Sequence, residues 1–373
     1  MRYIDEYRNK GLIQAIAERI KMSLPGYPIK IMEVCGTHTH NFYRFGLDKL
    51  IPPNLKLISG PGCPVCVSTQ DYIDSCINLA GYKDVILTTF GDMLAVPGSN
   101  SSLEKARARL GNIQVIYSPL DSLAIAQNNP GKKIVFLAVG FETTAPGIAI
   151  TILKAKREKI RNFFIFSSLK LMPPTMEFLL KDKQLHLHGF LCPGHVSAII
   201  GINAYLPLSR KYKICCCVAG FEPVDILDGI YLILRQIAEK RTGVENQYSR
   251  VVTAAGNRKA QSIIRQVFEV EDACWRGLGV IPASGLRIKR EFSGFDARVN
   301  FSLNLDHGSE SRLAAARVKS ANLQKRCRCD DVLRGIIQPD QCSLFKKICT
   351  PDQPYGPCMV SIEGACHAYY KYL

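Results

Sequence analysis

Apolar residues along this chain recur with two periods. Near the start, Ile4, Leu12, Ile13, Ile16 and Ile20 fall at roughly helical spacing and predict an amphipathic helix over residues 3–22. From there to about residue 240, short apolar runs alternate with helix-like stretches. The runs are Ile29–Val34, Leu55–Ser59, Val85–Phe90, Val115–Tyr117, Ile134–Val139, Phe163–Ser167, Gly189–Cys192 and Lys213–Val218. Strand then helix at this spacing argues for parallel sheets with helices on their faces.

Eight strands fit one large sheet or two smaller ones, and an internal echo favours two. VFLAVGFETTAPGIAITIL from Val135 resembles CCCVAGFEPVDILDGIYLIL from Cys215, with Gly-Phe-Glu at 140–142 and again at 220–222. Glu142 and Glu222 each precede a helix, so acid capping of the first turn is the default reading of both. After residue 245 strands thin out, with helices expected around 257–270 and 310–326. From Cys327 the chain is rich in Cys, Pro and Gly and needs a staple to hold it. The expected fold class is α/β: two small doubly wound parallel-sheet domains, 24–128 and 129–242, and a mainly helical or irregular cluster domain, 243–373, which the opening helix, 1–23, joins.

A length of 373 residues suits two or three domains. No stretch of eighteen apolar residues occurs, so a membrane span is not expected. The opening MRYIDEYRNKG lacks the apolar core of a secretory signal, which predicts a cytoplasmic protein. The net charge of +16 raises nucleic-acid binding, but the Lys and Arg residues are dispersed. Their densest runs, 154–161 and 312–328, fall on expected helices and read as solvated faces, so no nucleic-acid partner is expected. Fifteen cysteines in a chain without an export signal divide into packing residues, metal ligands and reactive thiols rather than a disulfide framework.

Three constellations carry chemistry. Cys35-Gly-Thr-His38-Thr-His40 follows the first apolar run, where parallel sheets collect ligand chemistry. A helix N-terminus there would favour the Cys35 thiolate, and at least one of the two histidines could join it as iron ligand or proton carrier. Gly60-Pro-Gly-Cys63-Pro-Val-Cys66 follows the second run, and its C-x-x-C suits reversible dithiol–disulfide chemistry better than half of a zinc site. Cys327, Cys342, Cys349 and Cys366 read C-x14-C-x6-C-x16-C. Structural zinc prefers tight C-x2–4-C pairs, so this spacing favours a [4Fe–4S] cluster, though Cys329 and Cys358 share the segment and spacing alone does not exclude them. Cys215-Cys216-Cys217 reads as buried packing, and Cys192 with His195 is a weaker metal candidate.

Taken together, CGTHTH, GPGCPVC, VGFETT at 139–144, CPGHVS at 192–197 and the tail CRCDDVLRGIIQPDQCSLFKKICTPDQPYGPCMVSIEGACHAYY resemble the HypD family of iron–sulfur maturation factors for [NiFe] hydrogenases. The resemblance spans nearly the whole chain. It implies a scaffold and electron donor that, with the chaperone HypC, assembles an iron centre carrying one carbon monoxide and two cyanides. HypE would deliver the cyanide and the hydrogenase large subunit would receive the product. Carried over residue by residue, it assigns Cys327, Cys342, Cys349 and Cys366 to a [4Fe–4S] cluster. Cys35, with His38 nearby, goes to the iron of the Fe(CN)2CO unit, and Cys63 and Cys66 form the redox pair. A free-standing iron–sulfur thiol–disulfide oxidoreductase is the alternative in another functional class.

Overall fold

The computed structural model describes residues 5–182, 184–303 and 327–373. Eleven strands among them form two sheets. β1 (Ile29–Glu33), β2 (Leu55–Ser59), β3 (Val85–Thr89), β4 (Ile113–Val115), β5 (Lys133–Gly140), β6 (Phe163–Lys170), β7 (Gly189–Pro193) and β8 (Cys215–Ala219) follow the eight apolar runs, closely except at β4, which lies two residues before the expected Val115–Tyr117 and shares only Val115 with it. β9 (Val244–Asn246), β10 (Phe268–Trp275) and β11 (Gly279–Ile288) follow. The first sheet has the order β2-β1-β7-β8-β9 and the second β10-β11-β6-β5-β3-β4. The first is parallel throughout, as is β6-β5-β3-β4, while β11 and β10 add an antiparallel hairpin. The α/β class with two sheets is as the pattern predicts.

The sheets do not follow the expected boundaries. β1 and β2 pair with β7–β9, whereas β3–β6 form the other sheet, so the strands of 24–128 divide between the two and those of 129–242 do likewise. Local periodicity fixes where strands lie, not which distant strand each one bonds. Strand alternation accounts for the packing. Met32, Cys216, Val218, Val135 and Leu137 enter one core shared between the sheets. Their neighbours Ile31, Cys215, Cys217 and Ala219 face a second core, and Ile134, Phe136 and Ala138 a third. The central strands β5, β6, β7 and β8 are therefore dry on both faces, which is why their runs are continuous rather than alternating, while the edge strands keep exposed or half-buried positions. The cysteine triplet is packing, as expected.

The opening helix begins at Lys10, where the Asn9 side chain accepts the Leu12 N–H, and ends at Ser23. Its buried Ile16 and Ile20 pack against the helix Pro223–Ala238 on the first sheet rather than on the C-terminal segment, which corrects its expected place. The expected helix at 257–270 is Arg258–Val267. The one expected at 310–326 and most of the basic run 312–328 lie outside the described residues. The hairpin β10–β11 went unpredicted because its pattern is broken: Val270 and Val280 are exposed, and Pro282 and two glycines interrupt β11. No helix among the described residues is long and apolar enough to cross a membrane. The segment from Cys327 has only a small core of its own, Leu344, Cys349 and Met359, and otherwise sends Cys329, Leu333 and Cys358 into the shared core and Ala368 and Tyr369 into the second.

Candidate metal and thiol site

The carboxyl edge of the first sheet carries the site. β1 ends at Glu33, and Cys35 is the N-cap of the helix Gly36–Arg44. β2 ends in the loop that holds Cys63 and Cys66. The two loops touch through backbone: the Gly36 N–H donates to the Gly62 carbonyl at 3.1 Å, and a Cβ on Gly62 would lie 2.2 Å from the Cys35 nitrogen. Only glycine permits that approach. The CGTHTH and GPGCPVC motifs are thus one site.

Cys35 is buried, and burial pushes its thiol up to about 12, with the carboxylates of Glu363 and Glu33 adding to the effect. The expected thiolate-favouring helix terminus is outweighed, because desolvation and two nearby acids both disfavour the anion. A metal cation would reverse that balance by displacing the proton. Glu33 is itself fully buried. It accepts the Cys35 N–H at 2.9 Å and the Thr39 hydroxyl, and desolvation raises it to about 7.

The two histidines face opposite ways, as helical geometry requires. His38 is fully buried, and desolvation lowers it to about 4, so it is neutral at pH 7. Its Nε2–H is shared between the Gly220 carbonyl at 2.9 Å and the Ala219 carbonyl at 3.3 Å, while Nδ1 is buried with no partner. His40 instead meets the C-terminal segment, contacting the Ile362 carbonyl at 3.1 Å and the Tyr372 hydroxyl at 3.2 Å. Of the pair, His38 is therefore the one with a nitrogen to offer. His195 is exposed and stacks on Phe221 at 4.0 Å between centroids, with His38 at 5.0 Å from the same ring. Cys192 lies within the shared core, so the structure does not make Cys192 and His195 a ligand pair.

Cys63 and Cys66 are joined as a disulfide, with Cα atoms 5.2 Å apart. The Cys66 sulfur lies 3.8 Å from the Pro357 carbonyl, one residue before Cys358. Cys358 and Cys329 approach to 2.7 Å between sulfurs. Both join Cys327, Cys342, Cys349 and Cys366 around one hollow, with Phe345 and Met359 beside them. Burial raises Cys327 and Cys349, and neighbouring thiols add to it. Among the described residues no three such groups close on a single-ion site. Six cysteines thus line one small hollow.

Two site residues escaped the sequence reading. Glu363 accepts a hydrogen bond from Thr37 at 2.8 Å and approaches Cys35 from 326 residues beyond Thr37, a proximity that no local pattern announces. Glu33 had a signal: an acid closing an otherwise apolar strand, two residues before the cysteine. A cleft of about 510 Å³ bordered by Tyr212, Lys213 and Lys240 lies at the amino ends of β7 and β8, away from this edge.

The profile of the family described as HypD, "Hydrogenase formation hypA family", matches residues 9–373. The chain is 43% identical over 380 residues to hydrogenase maturation factor HypD of Azotobacter vinelandii, covering 100% of this chain and 97% of that one. It is 43% identical over 379 residues to the proteins of that name from Rhodobacter capsulatus and Escherichia coli K12, covering 100% of this chain and 98% of each. With likeness of this strength from end to end, the chain belongs to the HypD family of hydrogenase maturation factors.

Proposed function

We propose that this protein is the scaffold and electron donor on which the Fe(CN)2CO centre of [NiFe] hydrogenase is assembled. It would work in complex with HypC, receive cyanide from HypE, and pass the centre on toward the hydrogenase large subunit. The observation that carries the reading is contiguity. Cys35, the Cys63–Cys66 pair and the cysteine-lined hollow adjoin one another through the Gly36–Gly62 backbone contact and the approach of Cys66 to Pro357.

Cys35, with a thiolate from the partner, would hold the iron in a soft-ligand cradle. His38 would stand beside it as a neutral imidazole with Nδ1 free for iron or for a proton. Cys327, Cys342, Cys349 and Cys366 would hold a [4Fe–4S] cluster, which supplies electrons one at a time. Reduction of the Cys63–Cys66 disulfide takes two electrons and two protons and yields two thiols, a two-electron store next to Cys35. A free-standing thiol oxidoreductase fits less well. Cys63 and Cys66 are 3% and 0% exposed, so a disulfide of another protein cannot reach them without opening the loop.

Infrared spectra of the anaerobically purified complex with HypC test the iron assignment. Cyanide and carbonyl stretching bands are expected, and Cys35→Ala should abolish them while leaving visible iron–sulfur absorption intact. Bands that persist in Cys35→Ala would remove Cys35 from the iron. Cys342→Ala should instead bleach the visible absorption and loosen residues 327–373 to amide exchange. An unchanged spectrum would take Cys342 out of the ligand set.

A further inference from the structure

The orientation of His38 is set from across the first sheet. Its Nε2–H is shared between the Gly220 carbonyl at 2.9 Å and the Ala219 carbonyl at 3.3 Å, which leaves Nδ1 as the lone-pair nitrogen. Gly220 is held in turn by its own N–H, which donates to Gln247 Oε1 at 3.2 Å. The Gln247 amide donates to Asp225 Oδ1 at 2.9 Å. Asp225 is 0% exposed and takes a bidentate grip from Arg250, at 2.8 and 2.6 Å. The guanidinium packs against the rings of Tyr7, 3.9 Å from its centroid, and Tyr248, at 4.4 Å. Asp225 also accepts the Glu222 N–H at 3.3 Å, and Asn41, on the helix of His38, donates to the Phe221 carbonyl at 2.9 Å. Residues 220–222 are therefore pinned at both ends.

We propose that Asp225, Arg250 and Gln247 are positioning residues that fix the tautomer and direction of His38 through the Ala219–Gly220 backbone, whose two carbonyls share its Nε2–H. A buried ion pair adds little net stability over a packed apolar pair of the same volume, so stability alone does not account for it. What the bidentate fork supplies is direction. It holds the carboxylate so that one oxygen meets the Gln247 amide and the other the Glu222 N–H. Gln247, with its amide oriented by that carboxylate, turns its oxygen to the Gly220 N–H. Tyr7 brings the segment Asp5–Arg8 into the same assembly, so the start of the chain contributes to a site built mainly by the first sheet. The consequence for metal chemistry, an Nδ1 presented to the iron, rests on the function proposed above. The hydrogen-bond chain stands without it.

The test is NMR of the full-length, anaerobically purified protein labelled with 15N-histidine. Wild type should show His38 as a single Nε2–H tautomer with a slowly exchanging proton. Gln247→Leu keeps the Asp225–Arg250 pair and removes the link to Gly220. It should speed exchange of that proton about five- to tenfold, the loss of roughly one hydrogen bond, and populate the second tautomer. Arg250→Lys keeps the charge but not the fork and should move the same resonance in the same direction, with circular dichroism confirming the fold of each variant. A wild-type His38 signal in a folded Gln247→Leu variant would overturn the proposal, as would a wild-type signal in folded Arg250→Lys should Gln247→Leu fail to fold. Infrared bands of the HypC complex separate this from the iron assignment. If wild type shows no cyanide or carbonyl bands, the iron assignment fails while the imidazole result still decides the positioning role.

Discussion

The turns at Gly140-Phe141-Glu142 and Gly220-Phe221-Glu222 share three residues and a position, the carboxyl end of a buried parallel strand, yet they are put to different uses. In both, the glycine is required because a later side chain lies against it: an added Cβ would sit 2.4 Å from the Thr144 side chain in the first turn and 2.3 Å from Asp225 Oδ2 in the second. Beyond that the turns diverge. Phe141 is buried and stacks with Trp275 at 5.9 Å in the shared core. Phe221 is only partly buried and lies against His195 and His38. Glu142 is buried, whereas Glu222 pairs with Arg8 near the surface. The motif specifies a strand–turn–helix unit; the sheet that receives it decides whether the unit closes a core or supports a site.

The largest effect that separates the turns is expected at the phenylalanines. Phe141→Ala opens a cavity beneath Trp275 and should cost about 3–4 kcal/mol of unfolding free energy, while protein that remains folded still supports hydrogenase maturation. Phe221→Ala should cost only about 1–2 kcal/mol, because its ring is partly solvated, yet it removes the surface against which His195 and His38 lie and should lower maturation severely. Urea midpoints and hydrogenase activity in a host lacking its own copy of the protein measure both. Full maturation by Phe221→Ala, or equal urea midpoints for the two variants, would erase the distinction.

Much of this was legible in the chain. The central strands stood out because both of their faces are dry, which makes the runs continuous and easy to see, whereas the short, partly exposed edge strand β4 lies two residues before the run that predicts it. Cys35, Cys63 and Cys66 were visible because short motifs follow those runs directly, and parallel strands place such loops on one edge. The pairing of β1 with β7 was not legible, since nothing in a strand's own residues names its neighbour 158 positions away, as in the contact of Lys30 with His188. Glu363 stayed hidden for the same reason. What opposes the Cys35 thiolate in the metal-free protein was not legible, because a helix terminus is a local feature, whereas burial and the Glu363 carboxylate come from the tertiary fold. The capping expected of Glu142 was half right in chemistry and wrong in address: it accepts the N–H of Met172, opening the helix Met172–Leu180, and not that of its own following helix.

The smallest effects concern the two glutamates, and here pH separates the turns. Glu142 has one oxygen on the Met172 N–H at 2.9 Å and the other buried without a partner, and desolvation raises it from 4.5 to about 7. A carboxyl whose folded value lies above its unfolded one favours folding least when ionised. The penalty is absent below about pH 4.5, grows between there and pH 7, and is complete above it, reaching roughly 3 kcal/mol. Glu142→Gln keeps the acceptor for Met172 but places an unpaired amide N–H where the second oxygen was, which returns part of the gain. At pH 8 it should therefore be more stable than wild type by about 1–2 kcal/mol, with the advantage gone or reversed at pH 5. Glu222→Gln loses an ion pair whose Arg8 partner is 44% exposed, so it should cost under about 1 kcal/mol, and less as salt is added. Urea unfolding at pH 5 and pH 8 for both variants decides the matter. A pH-independent Glu142→Gln difference would mean that the buried carboxyl is solvated after all, and that the two turns differ less in their surroundings than their packing indicates.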